Sequence, residues 1–473
     1  MIYKISGLLL LGGLAGCTMG PDYRKVDPVV PKYWQAEPTT HLKPANPEEL
    51  KNWWKSFDDA HLNHLMDHAL AGNLDIKIAL ARIDQARAER SGTRAELFPT
   101  VNVRTGAQRQ ENPFPGLAPG IKYNMFELGF DTLWEVDLFG RQQRRLEAAT
   151  ADLEGAADEY HQSLVILTAE LARSYVEYRS LQNQLRITRS NLESQQHTLK
   201  LTERLNAEGV GTRHDVIRAR AQSETTEAQI PELEARLVAT LRQLEVLVGR
   251  QPGTLDAQLN STESVPAAPG IEILTSPAET IRRRPDLRAA ERRLAAATAM
   301  QGAAIAELYP KISLSAFVGL RNTDIESLFK SSAFSYGTAA NLLQPLINFG
   351  RIRAGIDLAD AQQKEAYFAF EKAVLEALRE TETALTRYLK EESRRQTLAR
   401  AVADLRESER LSQLRYHEGV ISFLDVLESQ RALYVDEISL ARSEAETSTN
   451  LIALYKALGG GAKAQSPEVS VGK

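Results

Sequence analysis

The sequence has almost no cysteine. Cys17 is the only one in 473 residues, which excludes an intrachain disulfide framework and any multi-cysteine metal site. Basic charge is not in excess: 57 Lys and Arg against 62 Asp and Glu leave a formal net charge of −5. That balance gives no electrostatic footprint for nucleic acid. Long hydrophobic runs are missing as well. Beyond the N-terminus no apolar stretch approaches the roughly 18 residues of a spanning helix, which excludes a helical inner-membrane protein. Five methionines are too few for a methionine-rich copper track. There is no phosphate loop, nucleophile elbow or HExxH, so little supports an enzyme or a bound cofactor. What is present is 43% hydrophobic and 25% charged, a globular balance.

The N-terminus reads as an address. Lys4, the apolar run Ile5 to Leu14 and the small residues Ala15-Gly16 before Cys17 form a secretory signal. Leu14-Ala15-Gly16-Cys17 resembles the bacterial lipobox. The resemblance implies removal of residues 1–16 and an N-terminal diacylglycerol and N-acyl chain on Cys17. Thr18, rather than Asp, follows, which by analogy with bacterial lipoproteins favours the outer membrane. Such chains contribute about 0.8 kcal/mol per buried methylene, enough to anchor and not to span. The blander alternative is an ordinary signal peptide with a chance cysteine.

The chain is a duplication. Residues 73–103 lie over 284–314 without a gap at an offset of 211, with nine identities in thirty-one pairs. They include the Ala-Glu-Leu and Pro of AELFPTVNV and AELYPKISL. At an offset of 210, Phe139-Gly140-Arg141 matches Phe349-Gly350-Arg351, and Glu208-Gly209-Val210 matches Glu418-Gly419-Val420. One offset held through helix, strand and turn marks two copies of one unit.

The expected organisation is a lipidated, Pro-rich extended segment over 17–60, repeat 1 over 61–249, a linker over 250–277, repeat 2 over 278–461 and a disordered tail over 462–473. Each repeat reads as helix, two strands, long helix and return helix. The strands are expected at 101–110, 123–136, 311–321 and 334–345. The first repeat's opening helix is expected to run without a break from His64 to Leu97. The long helices are expected at 141–207 and 351–417, neither containing proline, each roughly 100 Å long at 1.5 Å per residue. Leu164, Leu171, Tyr178, Leu185, Leu192 and Leu199 recur every seven residues, a coiled-coil seam. The return helices are expected at 212–249 and 422–458, with Pro231 kinking only the first. Trp53-Trp54 is expected to pack the N-terminal segment onto the helices. His61, His64 and His68 have helical ligand spacing, but a solvated face explains them better than a metal site.

Strands of about ten residues suit a tilted membrane span. Four cannot close a barrel, and an open edge is not tolerated in lipid. Spanning strands would therefore need a barrel shared between chains. A soluble coiled-coil scaffold lipoprotein with a small sheet is the alternative.

The duplicated unit, the two Phe-Gly-Arg turns, the run from Tyr416 to Arg431 and the terminal Leu454-Tyr455-Lys456-Ala457-Leu458-Gly459-Gly460-Gly461 resemble the outer-membrane factors of efflux systems, the TolC/OprM/CusC-like family of NodT type. The resemblance implies an α+β membrane protein. In it a homotrimer shares a twelve-strand β-barrel, four strands per chain, continued by a twelve-helix periplasmic α-barrel. It implies a lipid-anchored, barrel-inserted place in the outer membrane. The implied partners are a periplasmic adaptor and an inner-membrane pump of the resistance-nodulation-division class. The duct would passively carry drugs or other small toxic solutes; a type I secretion duct is the alternative within the class.

By motif, Asp425 and Glu428 match the family's acidic gate rings and Leu424 its apolar constriction. Asp215 and Tyr416 match a gate-locking pair. The arginine that completes the lock is replaced by Ile421, with Arg218 as a candidate substitute. Thr212-x-x-Asp215 and Ser422-x-x-Asp425 are also capping patterns, so each Asp has a structural role open to it. Glu428 does not.

Overall fold

The alternating residues of each copy fold as a hairpin, and the proline-free stretches fold as unbroken helices. The computed structural model describes residues 18–36, 43–44, 50–111, 122–261, 264–270 and 273–461; Cys17 and the expected tail lie outside them. In chain order the elements are β1 (Lys43–Pro44), α1 (Ala60–Gly72), α2 (Leu74–Ala95), β2 (Thr100–Glu111), β3 (Lys122–Val136), α3 (Arg141–Ala207), α4 (Arg213–Glu227), α5 (Ile230–Leu247), α6 (Asp256–Leu259), β4 (Ile273–Leu274), α7 (Pro277–Arg283), α8 (Pro285–Ala306), β5 (Lys311–Asn322), β6 (Phe334–Leu343), α9 (Arg351–His417) and α10 (Phe423–Ala457).

Two compact units result. The first draws on Met1–Asp27, Arg82–Ala156 and Ala289–Glu371 and holds the four-stranded sheet. The second draws on Pro28–Ala81, Ala157–Arg288 and Lys372–Lys473. Its described residues are mainly helical, with the short parallel pair β1–β4.

In the first unit the sheet order is β2-β3-β5-β6, antiparallel throughout. Thr100 stands opposite Leu133, and Lys311 opposite Leu343. Those pairs are related by the offsets of the duplication, so both hairpins share one register. Across the join between copies Phe130 meets Val318. Because side chains alternate, this register collects Val101, Val103, Phe126, Leu128, Phe130, Val318, Leu320, Phe334, Tyr336 and Leu342 on one face. The other face carries Asn102, Arg104, Gln108, Glu127, Asp131, Ser313, Ser315, Arg321, Ser335 and Asn341. On it Glu127 accepts Arg104 at 2.6 Å and Arg321 at 3.0 Å. Its apolar exceptions include Met125, Leu133, Phe317 and Leu343, Phe317 lying under the Arg321 guanidinium at 4.6 Å. Gly129 faces Gly319, and a Cβ on Gly319 would come within 2.4 Å of the Gly129 Cα. Only glycine permits that approach.

Small residues let the helices of this unit pack closely: Ala148 and Ala151 meet Ala295, Ala296 and Ala299. The first described residues are strapped beside them. The Met19 amide donates to the Phe139 carbonyl at 3.2 Å. Arg144, buried, donates to the carbonyls of Met19 and Gly20 and pairs with Asp22 at 2.7 Å.

In the second unit Leu164, Leu171, Tyr178 and Leu185 are buried along α3, as the seven-residue spacing requires, while Leu192 and Leu199 are half-buried. Each fully buried leucine of that kind stabilises by about 1.5–3 kcal/mol. Trp53 stacks on Tyr455 with centroids 5.3 Å apart, so the tryptophan pair does pack the N-terminal segment onto the helices.

Two expectations about helices need correction. The stretch from His64 to Leu97 is two helices, divided at Asn73. Its backbone is extended, and its side chain caps α2 by accepting from the amides of Asp75 and Ile76. The same side chain donates to the Leu247 carbonyl at 2.9 Å. In copy two Arg284 takes this place, extended before Pro285 as a pre-proline residue must be. It donates to the Ala457 carbonyl at 3.1 Å, the equivalent of Leu247. Pro231 does not kink a helix; the helix stops at Glu227 and restarts at Ile230 with Pro231 in its first turn. There a missing N–H costs nothing. Leu440-Ala441 occupies the matching place inside the continuous α10.

Candidate functional site: the helix-turn tips

The sequence placed its site residues at two helix-to-helix turns, both in the second unit. At the first, Gly209 adopts φ 77°, and the amides of Val210 and Gly211 return to the Leu205 carbonyl at 3.0 and 2.9 Å. At the second, Gly419 adopts φ 73° and the Val420 amide returns to the Arg415 carbonyl at 2.9 Å. A left-handed glycine closing a helix this way satisfies its last carbonyls.

The next helix starts on a cap in each case. Thr212 donates to Asp215 Oδ2 at 2.6 Å and accepts the Asp215 amide at 3.2 Å. The amide and hydroxyl of Ser422 both donate to Asp425 Oδ2, at 2.9 and 2.7 Å. The Ser422 bonds, with a smaller contribution from the Arg415 charge, hold the Asp425 carboxyl below its ordinary range. Asp425 thus completes a capping box, whereas at the first turn the cap is Thr212 and Asp215 accepts only its hydroxyl; both aspartates remain outside the buried core.

Tyr416 is half-buried and packs against Phe423 at 5.6 Å between centroids. Burial, then the nearby Asp215 charge, pushes its phenol up. The Asp215 hydrogen bonds among the described residues run to Thr212 and not to Tyr416. Arg218 is exposed and forms no ion pair among the described residues. Leu424 is 48% exposed, and Glu428, four residues on, is exposed on the same side. Phe423 and Val426 point the other way and are buried.

Sequence patterns missed a polar layer just beyond these turns. Gln430, buried, donates to Thr198 at 3.2 Å, with Ser194 at 3.5 Å and Glu409 at 3.4 Å. Tyr434 donates to Gln229 Oε1 at 2.7 Å and meets Thr188 at 3.1 Å. Gln195 is buried with neither amide atom bonded among the described residues. The available signal was Gln195 itself, a polar residue three positions after Leu192 and so on the same side of the helix. The histidines gather little: His64 and His68 approach at 3.1 Å, but Arg250 lies against His68. Burial, then that positive charge, pushes the His68 imidazole down.

The outer membrane efflux protein family model matches residues 65–250 and 277–460, once per repeat. The chain belongs to that family. It is 30% identical over 457 residues to nodulation protein T of Rhizobium leguminosarum bv. trifolii, covering 95% of each chain. It is 32% identical over 480 residues to the pyoverdine export outer membrane protein OpmQ of Pseudomonas aeruginosa, covering 97% of this chain and 96% of that one. Among solved structures it is similar to the outer-membrane channel OprN. The TM-score is 0.89 at 36% identity, over 94% of this chain and 100% of that one. The duplicated four-strand and long-helix architecture is the fold of this family. The protein is an outer-membrane efflux channel protein, and its non-enzymatic character follows from that membership.

Proposed function

We propose that three copies of this chain form the exit duct of a tripartite efflux pump, each lending four strands to a twelve-strand barrel and its helices to a periplasmic tunnel. The observation that carries this reading is the sheet: one apolar face, one polar face and two edges, β2 and β6, that are unpaired among the described residues. Lipid on one side and a wet lumen on the other account for the faces, and closure in the membrane needs further strands. Cys17 tethers the chain through its lipid chains. A periplasmic adaptor and an inner-membrane pump of the resistance-nodulation-division class deliver small toxic solutes, and the duct conducts them passively.

The gate in this reading is the turn at Gly419. Leu424 supplies an apolar constriction, and Asp425 and Glu428 supply acidic rings. Exposure of all three in one chain supports such a role, because groups lining a lumen are not spent on the core. Three carboxylates brought together repel and attract cations. Tyr416, Asp215 and Arg218 hold the closed state, weakly, because Ile421 provides no charge.

Conductance in planar bilayers tests the gate. Leu424→Ala with Glu428→Ala is expected to raise conductance several-fold and weaken divalent-cation block; Asp215→Ala is expected to raise it less. A double variant that forms normal trimers yet matches wild type in both would place the constriction elsewhere.

A further inference from the structure

The start of the described chain is pinned beside the end of β3. Gly140 adopts φ 77°, and a Cβ there would stand 2.7 Å from the Thr18 Cα. The Met19 amide bond to the Phe139 carbonyl and the Arg144 bonds to Met19 and Gly20 hold the same segment. The Cα of Cys17 therefore lies about 3.8 Å from a fixed point.

Back along β3 from that point the apolar face of the sheet is hollowed. A groove of about 360 Å³ crosses β3, β5 and β6. Its floor is two cross-strand rows, Thr132–Ala316–Thr338 and Trp134–Leu314–Ala340. The rows on either side are bulkier, Phe130–Val318–Tyr336 and Val136–Ile312–Leu342, so the Ala and Thr side chains leave a trough between them. Pro99 walls it beside Trp134. The Trp134 indole N–H donates to the Leu97 carbonyl at 2.9 Å, which fixes the ring. A tryptophan with an apolar body and a satisfied polar edge suits the interface between hydrocarbon and water, the depth at which the polar head of a lipid lies. From Gly140 to Trp134 is six residues, at most about 22 Å of chain. The Leu138 amide turns back to the Val136 carbonyl at 2.9 Å, which makes the direct path shorter. An acyl chain reaches through half of a hydrocarbon layer roughly 30 Å thick.

We infer that one acyl chain of Cys17 lies in this groove, crossing from the first hairpin to the second, instead of mixing freely with the bilayer lipids. Methylenes need shape and no hydrogen bond, which is what the floor offers, and the pinned Thr18 sets where the chain starts. This inference rests on the reading of Cys17 as lipidated. It adds where the lipid goes: the anchor is part of the outer wall of the sheet and not a loose tether.

Photocrosslinking tests it. Cells fed a fatty acid carrying a diazirine attach it to Cys17 and to phospholipids alike. Irradiated outer membranes digested with trypsin give adducts whose mass separates the Cys17–Arg24 lipopeptide from a phospholipid. Val101 is the internal control. It shares the cross-strand row of Thr132, Ala316 and Thr338, hence their depth, and β2 flanks β3 as β5 does, yet it lies outside the groove. Lipopeptide adducts at Ala316 and Thr338 are expected to be at least fivefold more abundant than at Val101. Ala316→Trp and, separately, Ala340→Phe fill the groove. Each is expected to cut the adducts at Thr338 at least fivefold while Cys17 keeps its acyl mass. Equal labelling of Val101, adducts that survive both substitutions, or groove adducts of phospholipid mass alone would each overturn the inference. A wild type whose Cys17 carries no acyl mass would overturn the lipid-anchor reading itself, and the inference with it.

Discussion

Phe130→Arg compared with Asp131→Arg separates the two faces of the sheet with one residue of displacement. Phe130 stands in a cross-strand row with Val103 and Val318, continued by Tyr336. It is 55% exposed in the single chain, and no residue of that row carries charge. An arginine there meets no carboxylate across either strand and must be stripped of water. At mid-membrane depth a lipid-facing arginine costs roughly 2–4 kcal/mol, about 30- to 700-fold in a folding equilibrium. Asp131 stands between Asn102 and Phe317 on the polar face, where Arg104, Glu127 and Arg321 already form an ion cluster. An arginine there stays hydrated. Its cost is the loss of one negative charge near that cluster, below about 1 kcal/mol. The assay is urea unfolding of protein reinserted into liposomes, read alongside the yield of heat-stable trimer. Equal losses for the two variants, or a greater loss for Asp131→Arg, would refute the assignment of faces.

Other perturbations probe other parts of the molecule. With a non-lipoprotein signal and Cys17→Ser, the protein is expected to stay in the outer-membrane fraction and resist salt extraction; release into the soluble periplasm would show that the sheet does not integrate. Arg284→Ala leaves Asp286 and Glu380, at 2.7 and 2.8 Å, without their cation and leaves the Ala457 carbonyl only the Thr381 hydroxyl at 3.4 Å, which is expected to cost roughly 2–4 kcal/mol. Asn73→Ala, losing a cap and one hydrogen bond, is expected to cost about 1–2 kcal/mol; thermal melts that reverse this order would show the two clamps are not equivalent. Because the Asp425 carboxyl lies below its ordinary range in the fold, its contribution is full above that range and lost as pH falls through the folded value. Hydrogen-exchange protection of the 423–427 amides, taken relative to their intrinsic exchange rates, is therefore expected to fall in acid for wild type and to lose that pH dependence in Asp425→Asn.

The parts of the fold legible in the sequence were those fixed by periodicity. Alternation over Asn124 to Trp134 and the seven-residue spacing from Leu164 each reflect a single buried face, and a buried face leaves a repeating mark. Pro231 marked its place but not its effect. Missing an N–H, it serves equally as a kink or as the first turn of a new helix, and only the chain before it decides. The Asn73 and Arg284 clamps left no shared mark. One is a short amide and the other a long guanidinium, yet each reaches the carbonyl that ends the return helix of its copy. Equivalent positions conserved the acceptor, which every residue possesses, and changed the donor. The grip of Arg144 on Met19, Gly20 and Asp22 was hidden for the same reason, because two of these partners are backbone carbonyls and all three lie far along the chain. At the tips, spacing located the caps correctly, while the polar layer behind them depends on side chains meeting across three helices.

That layer and the break beside it make the two copies mechanically different. The return helix of copy one is interrupted at Ala228–Gln229, whereas α10 is continuous for 35 residues. A helix bends cheaply at a break and poorly elsewhere, so displacement of the Gly419 turn has to be carried by α10 as a body. Carried along it, the displacement first meets Gln430 and Tyr434, whose contacts are hydrogen bonds to Thr198, Gln229 and Thr188. Each such bond, exchanged for one to water, costs about 0.5–1.5 kcal/mol net, against about 1.5–3 kcal/mol for exposing a buried leucine. Gln195, with no bond to lose among the described residues, gains when water enters. The cheapest place to part α10 from α3 is therefore this polar layer, and Leu424 and Glu428 lie on the tip side of it. If the proposed gate opens by displacement of the Gly419 turn, copy two yields at its tip without disturbing the leucine layers at Leu164 and Leu171, and the break in copy one, tied to α10 by Tyr434, holds that opening to the same level.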